Sequence, residues 1–374
     1  LREKAKNTDK NPKRYISKKY LFISISLSIL SLAVVVYLTY DPETHLLKHI
    51  KPKRLPGLFI ALFVSMLRVW FSAAKIRFLA EKQVSWLAAT RIVLTWDFTS
   101  SVTPSTIGGA PMATYAMSKE GLKLGQSTAI VLYGVLLDQL WFAIAIPIIL
   151  LAGIYYEIVP ANVGLVGDVS MGLIYIGLLS YAAILAYGVL KNPAVLKKVV
   201  KKVGKLPLIR KFRETIEDEA DNLVQYSHEL RKKPFSFLVK AFSLSTMSWL
   251  CRIWLPTIVI LSLLPADVLL SFLRSLAMNL AFLVMPTPGG SGGVEGLFAI
   301  FQGPLIDRKT FIGLSVFLWR VISYYISIGL GMMATTWYIN QSVVDSMEDE
   351  QETRQVQEEE TYGSPLAAES DRES

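Results

Sequence analysis

Three arginines and two Pro/Gly-rich segments carry the residue types of one chemistry, the holding of a phosphate group. The arginines are Arg91, Arg274 and Arg320. The first segment reads Thr103-Pro104-Ser105-Thr106-Ile107-Gly108-Gly109-Ala110-Pro111. The second reads Pro286-Thr287-Pro288-Gly289-Gly290-Ser291-Gly292-Gly293-Val294-Glu295-Gly296. A guanidinium presents a fork of donors that fits phosphate oxygens. Glycines let a ligand approach the backbone closely. A helix beginning after each break offers free N–H groups and its positive dipole end to an anion. Thr103, Ser105, Thr106, Thr287 and Ser291 add hydroxyls. Asp138 and Glu295 would balance the arginines in an empty site, or bind an amine on a zwitterionic or cationic headgroup. A nucleotide loop is the competing reading of the second segment, but no Lys-Ser/Thr follows it and no strand precedes it.

Both segments interrupt apolar stretches. Broken backbone at membrane depth persists only where protein or a polar cavity satisfies it. A matching pair of breaks in two halves points to a transporter's binding site. Other charges also fall in apolar stretches: Arg68, Asp97 and Arg252. Arg68 and Arg91 read as near helix ends, and Arg252 is long enough to reach an interface. Asp138, Glu295 and Arg320 read as deep, either as a structural ion pair or, the preferred expectation, around a hydrated polar cavity. Arg91 precedes Thr103 by 12 residues and Arg274 precedes Thr287 by 13, a second sign of repetition.

The elements that must position these groups are membrane helices. The chain has 374 residues, 52% of them hydrophobic, with a mean hydropathy of +0.41, and fits an all-α polytopic membrane protein. Residues 20–40 and 169–190 carry no charge, and each run is long enough to cross a bilayer. Eight apolar units fall near 20–40, 56–79, 86–118 (broken), 124–153, 169–190, 235–264, 268–303 (broken) and 310–340.

Lys and Arg counts orient them. Residues 1–19 hold eight bases and two acids, and the 191–233 connector holds twelve and six, so both read as cytoplasmic. The 154–168 loop has no Lys or Arg and reads as external. The path that follows has six full spans and two re-entrant hairpins in a four-plus-four inverted repeat, with both termini cytoplasmic. Residues 20–190 form the first membrane repeat and linking span, and 234–340 the second. The basic loop at 41–57 fits an external position poorly and reads as an interfacial segment. The connector reads as a solvated helix pair. The tail at 341–374, with eleven acids and two bases, reads as disordered.

Cys251 is the single cysteine, so an internal disulfide is excluded, and His45, His49 and His228 lack metal-ligand spacing. No cofactor is expected. The bases flank apolar segments, which argues against nucleic acid as a partner.

At these motifs the chain resembles the lysylphosphatidylglycerol synthetase transmembrane (flippase-like) family, the membrane region of the multiple peptide resistance factor. The matching residues are Thr103-Pro104, Gly108-Gly109, Pro111, Gly121 and Asp138, then the 286–295 stretch and Arg320. The likeness spans roughly 20–340. It implies a lipid flippase or scramblase for an anionic, aminoacylated or polyprenyl-linked phospholipid. The family's fused forms carry an aminoacyl-transferase domain, and some archaeal relatives a glycosyltransferase. The 191–233 connector is too short for either, so synthetic activity is not carried over and a transporter is expected rather than an enzyme. A membrane-embedded transferase acting on lipid-linked sugar or phosphate is the first alternative. An ion-coupled small-solute transporter is the second. The expected partners are the membrane and a phospholipid or polyprenyl-linked lipid; a homodimer is admitted but not specified.

Overall fold

A computed structural model describes residues 18–41, 51–103, 109–160, 164–187, 224–283, 285 and 287–341, and every regular element among them is helical. Most of the connector and the acidic tail, with Pro104 and Gly108, lie outside the described residues. In chain order the helices are α1 (Lys18–Thr39), α2 (Pro56–Leu79), α3 (Trp86–Val102), α4 (Gly109–Lys119) and α5 (Leu124–Ala152). They continue as α6 (Gly164–Ala186), α7 (Phe235–Leu263), α8 (Val268–Leu283), α9 (Gly293–Gln302) and α10 (Lys309–Gln341), with a π turn in α10 at Val321–Tyr325.

Four of these are long and apolar enough to cross a membrane: α2 with its preceding turn, α5, α7 and α10. In α1 and α6 the described apolar stretches are shorter, Ile25–Thr39 and Gly172–Ile184. Phe59, Phe63, Ile148, Leu151 and Met333 are exposed, as lipid-facing side chains are. Pro147 lies inside α5 and Pro256 inside α7, as membrane helices tolerate.

The centre of the fold is the pair α2 and α7, which run antiparallel. Gly57 packs on Ser262, Ser72 Oγ lies 2.7 Å from Ser248 Oγ, Lys75 Nζ lies 3.4 Å from Ser245 Oγ, and the Phe78 and Phe237 rings stack at 4.6 Å. Numbers rise along one helix as they fall along the other. Replacing Ser72 and Ser248 together by cysteine is therefore expected to give a disulfide under mild oxidation, read as a mobility shift reversed by reductant. Failure to cross-link in folded protein would contradict this register.

Around this pair the packing repeats. Four helix–helix pairings recur when α1–α5 are exchanged with α6–α10. Helix α2 packs on α3 as α7 does on α8, α3 on α4 as α8 on α9, α4 on α5 as α9 on α10, and α5 on α6 as α10 on α1. The sequence carries the same relation at one offset. Arg68 and Arg252, Trp70 and Trp254, Phe98 and Phe282, Thr103 and Thr287, Pro104 and Pro288, Gly108 and Gly292, and Gly109 and Gly293 are each 184 positions apart.

Each broken unit doubles back on itself. In the first, Ser85 Oγ caps α3 by accepting from Ala88 N at 3.1 Å. Arg91, early in α3, reaches Glu120 just past α4, Nη2 to Oε1 at 3.0 Å. In the second, Ser271 Oγ donates to Gln302 Oε1 at 2.9 Å, and Arg274 Nη1 to the Phe301 carbonyl at 3.2 Å. The start of α8 thus meets the end of α9.

The two bases lie at opposite ends of α5. Glu120 precedes that helix by four residues, whereas Arg274 binds the carbonyl of Glu157, five residues beyond it. At 29 residues α5 separates them by about 43 Å.

Candidate functional site

The two hairpin tips meet. Gly289 and Gly290, in the turn between α8 and α9, have φ of +58° and +66°. A Cβ at Gly289 would sit 3.0 Å from the Ser101 carbonyl at the end of α3 and 2.8 Å from the Tyr324 ring. A Cβ at Gly290 would enter the Phe282 ring. Ser291 Oγ and Tyr324 Oη lie 3.1 Å apart and tie the turn to α10. The Pro/Gly chemistry thus closes a tight turn against neighbouring protein. In the first hairpin, Gly109 packs on Trp96 and Ser100, and Thr103 Oγ1 donates to the Thr99 carbonyl at 2.7 Å. Gly292 sits near Leu27 of α1, and Pro288 opens the short 3₁₀ turn. Thr287 Oγ1 is buried with no partner among the described residues.

Beneath the second tip lies a buried ion pair. Glu295, in the first turn of α9, has no exposed surface, and Arg320 is 3% exposed. Arg320 Nε donates to Glu295 Oε1 at 2.8 Å and Nη2 lies 2.7 Å from the same oxygen. Glu295 also accepts from Ser28 Oγ at 2.8 Å and, through Oε2, from the Gly292 N–H at 3.0 Å. It therefore caps α9 and fastens it to α1 and α10. The preferred expectation, a hydrated cavity around these two groups, is corrected here. They are packed and paired, because a carboxylate with this many donors needs no water.

Asp138, at the middle of α5, is also paired. It accepts from Lys75 Nζ at 2.8 Å, Trp249 Nε1 at 3.1 Å and Ser245 Oγ. A third pair joins Arg68 Nη2 to Asp97 Oδ2 at 2.7 Å. Arg68 was expected near a helix end; it lies at the centre of α2 and is 8% exposed.

Arg91 and Arg274 are not brought to the tips. Both sit at hairpin bases, and each ties its base to neighbouring chain. Arg91 also stacks on Trp337, its Cζ 3.6 Å from the ring centroid, while Tyr338 Oη donates to Glu120 at 2.8 Å. Arg274 Nε and Nη2 donate to the Glu157 carbonyl at 3.1 and 2.9 Å. One hairpin is thus fastened to the end of α10 and the other to the loop after α5.

Sequence reasoning missed Lys75, Ser28, Ser245 and Trp249 as members of these clusters. Lys75 had a signal: it lies seven residues after Arg68, two helical turns on, and so shares its face. Ser28 had none, being one serine among several in an apolar helix. Among the described residues no group of three His, Cys, Asp or Glu side chains could hold a metal ion.

Paired helical hairpins set among apolar spans, with charges buried where they meet, define a polytopic membrane protein. Residues 21–331 match the family described as lysylphosphatidylglycerol synthase TM region, and the chain belongs to it. It is also similar to a UPF0104 membrane protein of Archaeoglobus fulgidus, with 26% identity over 276 residues, 71% of this chain and 79% of that protein.

Proposed function

We propose that this protein moves an anionic, aminoacylated or polyprenyl-linked phospholipid between leaflets, as a flippase or scramblase rather than an enzyme. The observation that carries the reading is the pair of hairpins latched at opposite ends of α5 with their tips in contact over buried charge. We read α1, α2, α5, α6, α7 and α10 as six full spans and the hairpins as re-entrant from opposite leaflets, an inverted repeat with both termini cytoplasmic. The headgroup would pass between the tips while its acyl chains stay in the bilayer.

Each latch would govern one side. Arg91 with Glu120, Trp337 and Tyr338 holds the side at the start of α5; Arg274 with Glu157 and Phe301 holds the far side. Rocking one half against the other would open one latch at a time. Arg91→Gln removes a charge-assisted contact worth about 1.5–3 kcal/mol. It is expected to favour opening on that side about tenfold or more. Faster alkylation of a cysteine at Ser100 by an impermeant thiol reagent would report it, and unchanged alkylation would count against the latch.

The functional test is leaflet exchange in reconstituted vesicles, using fluorescent phosphatidylglycerol and a polyprenyl phosphate. Exchange rising with protein-to-lipid ratio is expected. Exchange equal to that of protein-free vesicles for every anionic lipid tried would refute the proposal.

A further inference from the structure

Among the described residues Arg252 is a cation with no hydrogen-bonded or ion-paired carboxylate. It lies in the interior of α7, the helix at the centre of the fold, and is partly buried. Trp249, which flanks its guanidinium, donates to Asp138 at 3.1 Å, and the charges of Asp97 and Asp138 are near enough to act on it, so Arg252 borders the central cluster. Its guanidinium is flanked by two rings, Trp249 and Phe282, each centroid 5.4 Å from Cζ. Among the described residues no carboxylate pairs with it and no acceptor takes a hydrogen bond from it, whereas Arg68, Lys75 and Arg320 each have a carboxylate.

The internal repeat says what is missing. Arg68 occupies the equivalent position in the first half and is neutralised by Asp97. The residue 184 positions after Asp97 is Ala281, directly before Phe282, the counterpart of Phe98. One half therefore keeps the ion pair, and the other keeps the arginine and lacks the acid. The cluster counts four cations (Arg68, Lys75, Arg252, Arg320) against three anions (Asp97, Asp138, Glu295). A guanidinium with no direct partner at membrane depth is costly, even with carboxylates nearby. Cation–π contacts offset part of that cost but leave the donors unused. Phe282 also packs against Gly290, which connects the free guanidinium to the hairpin tip.

We infer that Arg252 is the residue that binds the phosphate group of the transported ligand, taking it into the place that Asp97 fills in the other half of the molecule. The inference rests on the translocation reading and names the group that contacts the substrate. A phospholipid headgroup and a free phosphate share this chemistry, and the test separates them.

Ala281→Asp supplies the missing carboxylate and copies the Arg68–Asp97 pair; Ala281→Asn is the uncharged control of the same size; Arg252→Gln removes the cation. Thermal protection of each purified protein would be measured with phosphatidylglycerol, with phosphate-free diacylglycerol and with inorganic phosphate. The expected result is protection of wild type and Ala281→Asn by phosphatidylglycerol and not by diacylglycerol. Apparent affinity should fall about tenfold or more in Ala281→Asp and Arg252→Gln, the loss of a charge-assisted contact. Protection by phosphatidylglycerol alone identifies a lipid; equal protection by inorganic phosphate identifies a soluble anion at the same site. Wild-type affinity in both Ala281→Asp and Arg252→Gln, or equal protection by diacylglycerol, would overturn the inference.

Leaflet exchange by the same variants separates the two ideas. Wild-type exchange in Arg252→Gln removes the role of Arg252 and leaves translocation standing. Loss of binding without any exchange in the wild type keeps the site and removes translocation.

Discussion

Arg320→Ala is expected to destabilise the protein by about 3–5 kcal/mol, the cost of stranding a buried charge. Glu295 has no exposed surface, and Arg320 supplies its only cationic partner among the described residues. Without that guanidinium the carboxylate keeps Ser28 and the Gly292 N–H, two donors against a full negative charge. The helix it caps, α9, carries the second hairpin tip, so the damage spreads to the site. Removing both charges by Glu295→Gln with Arg320→Met should restore most of the loss, because a neutral pair of similar volume avoids desolvation. Melting temperature in detergent, with size-exclusion profiles, reads both. An Arg320→Ala protein as stable as the wild type would show that the pair does not hold α9.

Gly290→Val should be nearly as damaging and for a different reason. The position has a φ of +66°, which a β-branched residue resists, and its Cβ would enter the Phe282 ring. Left-handed backbone costs about 1–2 kcal/mol, and overpacking adds about 1–3 kcal/mol. The only relief is to displace Phe282, which also flanks Arg252. The variant should therefore lose melting temperature and leaflet exchange together. Gly296→Ala is the matched control. Nothing lies within 4 Å of a Cβ there, and alanine favours the helix, so stability should hold or rise. Equal effects of the two substitutions would contradict the tip geometry.

The helical class and the apolar units were legible because 3.6-residue helices in lipid need long uncharged runs, and these are visible by eye. The two breaks were legible too, since Pro and Gly cannot hide in a continuous span. The packing repeat was more readable than spacing of the arginines suggested. A single offset of 184 aligns Arg68-Val69-Trp70 with Arg252-Ile253-Trp254 as well as the two tips. Arg91 and Arg274 are one position out of that frame, yet each makes contacts at its hairpin base.

Pairing was the illegible part. Asp138 and Lys75 are 63 residues apart, Ser28 and Glu295 are 267 apart, and only the packing of α2 on α5 and of α1 on α9 brings them together. Periodicity reports which face of a helix a charge lies on, not which helix faces it. For that reason Glu295 and Arg320 read as ligand groups when they are each other's partners, and Arg252, read as able to snorkel, is the one left free among the central cations described.

The account stands on hairpins that enter from opposite faces of the membrane. The most direct measurement is side-specific labelling of single cysteines in sealed vesicles, in a Cys251→Ser background. Lys123→Cys marks the first base, where α5 begins, and Tyr155→Cys marks the second, beyond its end; both positions are exposed. An impermeant maleimide is predicted to label Lys123→Cys from one side only and Tyr155→Cys from the other side only. Labelling of both from the same side would place the hairpins in one leaflet and contradict the account.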